Sequence, residues 1–410
     1  MPAVTTPRAA ATIFILITVA LDMLALGAII PVLPGLVKSF LGGDTAASAR
    51  VYGLFGTTWA LMQFIFMPVL GALSDRFGRR PIVLLSNLGL GLDYVLMALA
   101  PALWVLFVGR VLSGITAASF SVASAYIADV TPPEKRAAAF GMIGAAFGVG
   151  FICGPAIGGV LGEIGPRVPF WAAAGLSLLN FAYGWFVLPE SLPPEKRSAF
   201  KMRNANPVGA LRFLGSVRGL LPLSLVNFLS FLAHEVLPST TVLYVGYRYA
   251  SGPGTVGIFL ACVGAAAALV QSLGVKPLVK RSGEARVLIG GLTAGAVGFA
   301  IYGLAPSLWL FALGLPAVAL WGTSGPAIQA LMSGKVGGTE QGQLQGALAS
   351  LRGVSGLVGP GLFTLTFAQF VGDWSLAGLP GAPFLLSALL LVMGAVYARS
   401  VVNRPLPQAG

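Results

Sequence analysis

Six ionisable side chains fall inside long apolar stretches: Asp22, Asp93, Arg110, the adjacent pair His234 and Glu235, and Arg352. A charge in hydrocarbon costs at least about 2.5–3.5 kcal/mol, so each needs either a partner or a task. Asp22 and Asp93 have the chemistry of a proton site. Desolvation favours a protonated carboxyl and a nearby cation favours the carboxylate, so a carboxyl that alternates between the two settings binds and releases a proton. The plainer role for either is a polar anchor hydrogen-bonded to a neighbouring helix. Arg110 starts a row with Ser113, Ala117, Ser121 and Ser124, which is one face of a helix. Asn227, Ser230 and His234 share another face, with Glu235 beside it.

His234 is the only histidine. Its imidazole suits proton transfer near neutral pH, and a hydrogen-bonded structural ring fits the position equally well. Glu235 would meet a cationic substrate. Arg352 would hold an anionic one or pair with Glu235. Gln271 and Gln345 are hydrogen-bonding groups for a substrate or for a neighbouring helix.

The elements that must position these residues are membrane helices. The chain has 410 residues, of which 56% are hydrophobic and 9% charged, with a mean hydropathy of +0.87. No water-soluble globule tolerates that surface. Apolar runs of about 20 residues predict spanning helices and exclude the alternating ten-residue strands of a barrel. Twelve runs are predicted, near 12–39, 51–73, 82–100, 102–128, 137–161, 167–188, 219–246, 253–278, 287–304, 306–333, 344–371 and 379–399. On these boundaries Asp22 and Asp93 lie about ten and twelve residues into their helices, roughly 15–18 Å deep and near the midplane. The first run lacks a small-residue cleavage pattern, so no cleaved signal peptide is expected. Cys153 and Cys262 sit in apolar runs and read as small buried residues. No metal cluster, cofactor motif or nucleic-acid-binding role is expected, and the net charge of +12 reads as topology.

Most of the 25 Lys and Arg residues fall on the side that carries both termini and the loops after even-numbered helices. The positive-inside rule puts that side in the cytoplasm, in a multi-pass protein of the inner (plasma) membrane. The longest polar connection, 189–218, predicts a cytoplasmic linker between an N-terminal six-helix half, 1–188, and a C-terminal half, 219–410. An internal repeat supports the division. Gly154-Pro155 recurs as Gly359-Pro360, and the turn ending at Gly78 recurs at Gly283, with the same separation. Two parallel halves related by an axis along the membrane normal are a known transporter plan, with the substrate near the midplane.

These residues carry a resemblance. Gly71-x-Leu-x-Asp75-Arg76-x-Gly78-Arg79-Arg80 resembles the loop between the second and third helices of the major facilitator superfamily, and Arg110 with Gly114 resembles its fourth-helix motif. Gly150-x-x-x-Gly154-Pro155-x-x-Gly158-Gly159 is similar to the fifth-helix motif of its proton-coupled drug antiporters. Leu21-Asp22 with Ile30–Pro34, Gly91–Tyr94, Arg110–Thr116 and Gln341–Gly346 resemble the tetracycline/proton antiporter group over nearly the whole chain. The resemblance implies the all-α major facilitator fold, with twelve transmembrane helices in two six-helix halves. It also implies that Arg110 influences protonation of an acidic neighbour, with Asp22 as partner. An acidic residue expected in the ninth helix and a histidine expected a few residues before Gln271 are both absent, and His234-Glu235 stands in the seventh helix instead.

Asp75, Arg76, Gly78, Arg79 and Arg80, together with Gly71, read as a gate element, with Arg79 reaching Asp129; a topology signal is the plainer reading. Gly150, Gly154, Pro155, Gly158 and Gly159 permit close packing and a bend, or guard against leak. The expected function is secondary active transport: proton-coupled efflux of drug-like amphiphiles by alternating access, by a monomer in the bilayer. A facilitator or proton symporter of a small organic ion is the alternative. Neither a nucleophile elbow nor a phosphate loop argues for an enzyme.

Overall fold

The computed structural model describes residues 7–117, 119–132, 135–197, 207–337, 340–372 and 378–402. Among them every regular element is helical. The first span is α1 (Pro7–Ile29) followed by α2 (Leu33–Phe40). They part around Pro31, which lacks an N–H and bars its predecessor from helical geometry. Next come α3 (Thr45–Phe77), α4 (Arg79–Leu99), α5 (Leu103–Thr116), α6 (Ser119–Val130), α7 (Arg136–Ile164) and α8 (Val168–Val187). After α9 (Pro207–Ser216) follow α10 (Leu220–His234), α11 (Val236–Tyr249), α12 (Pro253–Leu269) and α13 (Val275–Leu304). The chain closes with α14 (Leu308–Ala312), α15 (Leu315–Trp321), α16 (Ser324–Ser333), α17 (Gln341–Val371) and α18 (Ala382–Val402).

Among the described residues 11 stretches are long and apolar enough to cross a membrane. One of them, Pro253–Leu304, has 52 residues and holds two crossings, because Gly283 reverses the chain at φ 75°, ψ 159°. The described residues therefore hold twelve stretches able to cross a membrane. Gly78, which the sequence repeat aligns with Gly283, takes nearly the same backbone, φ 106°, ψ 160°. Only glycine adopts such angles without a Cβ clash, so the repeat is kept in conformation as well as in letters. Large side chains such as Phe186 and Trp309 are 85% and 86% exposed, as hydrocarbon contact requires.

Several expectations change in detail. The polar stretch Gly71–Pro81 is tighter than the span boundaries 51–73 and 82–100 imply: α3 stays helical to Phe77 and α4 starts at Arg79, leaving only Gly78 between them. The row from Arg110 to Ser124 is not one continuous helical face, because the fourth span breaks between α5 and α6. Thr116 bonds back to the Leu112 carbonyl at 2.9 Å, a contact that competes with the helix ladder and bends it. The seventh span breaks at Glu235 and the tenth is cut into α14, α15 and α16. Residues Val270–Gly274 make one wide π turn between α12 and α13. Cys153 and Cys262 are exposed rather than buried. The linker expected at 189–218 falls partly outside the described residues.

By their own contacts the helices form two compact units. The first is Met1–Asp44, Thr58–Asn206 and Ser251–Ala261. The second is Thr45–Thr57, Pro207–Ala250 and Cys262–Gly410. In the first unit α1 packs most extensively on α7. A Cβ at Gly150 would strike Met23 Cβ at 2.8 Å, and one at Gly154 would strike Gly27 Cα at 2.8 Å; Gly158 abuts Ala28 in the same way. Packing of bare backbones is the main source of helix association in lipid, where burial from water no longer drives it. In the second unit α13 packs most extensively on α18.

Candidate transport site

In the first unit α1, α4, α5 and α8 converge on a polar cluster inside hydrocarbon-facing helices. Asp22 is 2% exposed, and its Oδ1 accepts a hydrogen bond from Asn180 Nδ2 of α8 at 3.0 Å. Asn180 Nδ2 also donates to the Thr18 carbonyl at 3.3 Å, and the Thr18 hydroxyl donates to Asn180 Oδ1 at 3.2 Å. One amide thus clamps both sides of a turn of α1. Asp93, 1% exposed, lies against the bare Cα of Gly109, where a Cβ would come within 2.7 Å of Asp93 Oδ1. The next residue is Arg110, whose charge acts on Asp93 and, with Asp22, on the buried Tyr94. Arg110 Nη2 donates to Met97 Sδ at 3.7 Å and Ser113 Oγ at 3.4 Å, and its buried Nε has no partner. Two carboxyls and one guanidinium therefore lie buried around one phenol, that of Tyr94. The glycines of the fifth-span motif seat α1 on both sides of Asp22 along the helix.

At one end of the same unit lies the charged hub. Arg79 is 8% exposed. Its Nη1 contacts Asp75 Oδ1 at 2.6 Å and Ser74 Oγ at 2.6 Å, while Nε donates to Asp129 Oδ2 at 3.1 Å. Arg79 thus reaches Asp129 as expected. Glu190 Oε1 accepts from the Arg79 backbone N–H at 2.8 Å and Oε2 from that of Arg80 at 3.3 Å. A carboxylate there satisfies otherwise unpaired amides and meets the positive end of α4. Arg80 Nη2 donates to the Trp185 carbonyl at 2.6 Å, and Arg76 lies 5.1 Å over Phe77. A Cβ at Gly71 would meet nothing within 4 Å.

In the second unit a mixed cluster forms where α10, α15 and α17 meet. Trp321 Nε1 donates to Ser230 Oγ at 3.1 Å, and its ring lies 5.7 Å from that of His234. Arg352 stands 5.9 Å over the Phe231 ring, and its charge reaches both His234 and Glu235. The Glu235 side chain lies across Gly359, where any Cβ would collide with it. The Glu235 carbonyl accepts both the Ser239 backbone N–H, at 3.3 Å, and the Ser239 hydroxyl. Gln271 comes within 3.3 Å of where a Cβ of Gly322 would sit, beside Trp321. Asn227 is buried on α10. Gln345 lies elsewhere, accepting from Gln329 Nε2 at 3.2 Å on an exposed surface.

Asn180, Tyr94, Glu190 and Trp321 were not singled out from the sequence as site residues. Asn180 is a lone amide in an apolar run and follows the same logic that marked Asp22. Glu190 carried no local signal for its role on α4, because the Arg79 and Arg80 amides it caps are more than a hundred positions away.

The Major Facilitator Superfamily model matches residues 15–245. The chain belongs to that superfamily. It is 40% identical to the class C tetracycline resistance protein of Escherichia coli, over 95% of this chain and 98% of that one. It is also 40% identical to the class G tetracycline resistance protein of Vibrio anguillarum, over 90% and 93% of the two chains. A bacterial homologue of the human lysosomal transporter Spinster has the same fold, with a TM-score of 0.77 and 18% identity over 99% of this chain and 100% of that one. This facilitator-superfamily member is a multi-pass membrane transporter, not an enzyme.

Proposed function

We propose that this transporter exports drug-like amphiphilic molecules in exchange for protons, by alternating access, and that its two units divide the work. Asp22, Asp93 and Arg110 handle the proton. Ser230, His234, Glu235, Gln271, Trp321 and Arg352 take the cargo. The observation that carries the reading is the pair of carboxyls, each no more than 2% exposed, on either side of the buried Tyr94, with Arg110 acting on Asp93 and on that same tyrosine. A structural anchor needs one such group; two buried carboxyls, one of them beside a guanidinium that has a spare donor, suit a site whose protonation changes. Movement of Arg110 towards or away from Asp93 would expel or admit the proton.

In this proposal the six-helix halves are 1–188 and 219–410, joined by the linker 189–218. Both termini lie in the cytoplasm by the charge rule, and the monomer is the working unit in the plasma membrane. The hub of Asp75, Arg79 and Asp129 serves as a gate at the cytoplasmic end. The cargo surface pairs an aromatic wall, Trp321 and Phe231, with one acid and one cation. That combination suits an amphiphile with a polar, ionisable edge.

The test uses proteoliposomes with an imposed pH gradient and a lumenal pH dye, challenged with cationic, neutral and anionic amphiphiles, tetracycline among them. A compound that dissipates the gradient with wild-type protein and not with Asp22→Asn supports exchange. Labelled organic ions that cross without proton movement would overturn it in favour of a facilitator.

A further inference from the structure

A cavity of about 540 Å³ opens in the second unit between the last turns of the eighth span and those of α16. Its floor is apolar, built from Val275, Val279, Pro326, Ala327 and Ala330. Lys276 and Lys280 stand one helical turn apart in its wall, and neither is ion-paired among the described residues. Glu284 is the single acid of the lining, so the cavity keeps a net positive charge. Gln271 and Ser272, on the π turn, complete the lining. Leu273 and Leu278 on the same stretch are 67% and 38% exposed, the surface of a helix facing acyl chains. Arg281 and Arg286 are exposed just beyond.

We propose that this cavity binds an acidic phospholipid, with a phosphate headgroup on Lys276 and Lys280 and an acyl chain along the valine and alanine floor. An apolar trough ending in two unpaired ammonium groups matches a ligand that is a chain at one end and an anion at the other. Basic pockets between spans on the positively charged side of a membrane protein recognise anionic headgroups for this reason. A headgroup held here would steady the π turn, and through Gln271 it would touch the break beside Trp321. The site is thus placed to make transport depend on the surrounding lipid. The inference does not depend on which molecule is carried.

The test is native mass spectrometry of the full-length, delipidated protein in mild detergent, titrated with phosphatidylglycerol or with phosphatidylcholine of the same chains. The wild-type protein should prefer phosphatidylglycerol. Lys276→Gln with Lys280→Gln should lower its affinity for that lipid roughly thirty-fold, at about 1 kcal/mol per lysine, while Lys276→Arg with Lys280→Arg keeps it. Arg281→Gln, outside the cavity, should change little. Should the glutamine variant fail to fold, as judged by size-exclusion chromatography, Ala330→Trp fills the trough without altering charge and should also expel the lipid. Equal retention by wild-type, glutamine and tryptophan variants would overturn the proposal. So would displacement by millimolar inorganic phosphate alone, which marks a simple anion site, or by an exported amphiphile, which marks a cargo site.

Discussion

Asn180 and Asp22, 158 positions apart in the chain, meet at 3.0 Å in the interior of the first unit. Asn180 gives Asp22 Oδ1 an amide donor in a place where water cannot supply one. Replacing it with leucine removes that donor from a group 2% exposed. Loss of a buried partner to a charge costs about 1.5–3 kcal/mol, and the protonated form of Asp22 escapes most of that cost. Asn180→Leu is expected to slow proton-coupled efflux about tenfold or more and to leave the fold intact, as read from the lumenal dye and from thermal unfolding. Unchanged coupling would mean that the amide is only a helix clamp.

Arg79 ties together Ser74 and Asp75 of α3 and Asp129 of α6. Asp129 retains 22% of its side-chain exposure and Asp75 48%, so water takes over part of what is lost on truncation. Arg79→Ala is expected to lower stability by about 1–3 kcal/mol, measured as a drop in unfolding temperature in detergent. Arg79→Lys should recover only part, since one ammonium cannot reach all three oxygens in the plane of a guanidinium. Full recovery by lysine would show that charge alone matters.

Glu190 caps α4 through the Arg79 and Arg80 amides and also accepts from Ser191 and Leu192 N–H groups at 2.9 and 3.0 Å. Glu190→Ala should cost about 0.5–2 kcal/mol, as lost helix caps do. Glu190→Gln should cost less, because its amide oxygen still accepts. Hydrogen exchange at the first turn of α4 is the direct reading, and protection that does not fall in the alanine variant would count against the cap.

Gly359 and Gly346 lie on the same helix and differ in surroundings. Glu235 covers the first, and nothing stands within 4 Å of a Cβ at the second. Gly359→Ala forces α17 or Glu235 to move and is expected to destabilise by about 1–3 kcal/mol and to weaken cargo binding. Gly346→Ala is expected to be neutral or to stabilise by up to about 1 kcal/mol through helix propensity. A reversed order would mean that the cluster around Glu235 rearranges freely.

Glu235 and Arg352 form the fifth test. Each single replacement, Glu235→Gln or Arg352→Gln, removes one partner from a buried site where the guanidinium acts on the acid. The double variant should lie closer to wild type in stability than the sum of the singles, with a coupling of about 0.5–3 kcal/mol. Strict additivity would place the two charges too far apart to matter to each other.

The sequence by itself determined what each residue must be in general terms. Hydropathy requires spans, because backbone polar groups in hydrocarbon can be satisfied only within helices. The positions of Asp22, Asp93, Arg110, Glu235 and Arg352 in those spans mark them as candidates for a functional or anchoring role before any fold is known. The repeat of Gly78 at Gly283 and of Gly154-Pro155 at Gly359-Pro360 divides the chain in two. Tertiary structure alone decided who meets whom. Asp93 rather than only Asp22 lies beside Arg110, because Gly109 leaves room for its carboxylate. Asn180 and Glu190 became partners through helix packing between distant segments, which no local pattern encodes. Gln271 came beside Gly322 while Gln345 turned to Gln329, although both read alike in sequence. The physical reason is that hydropathy depends on each residue singly, whereas hydrogen bonds and ion pairs depend on distances that exist only once the helices are packed.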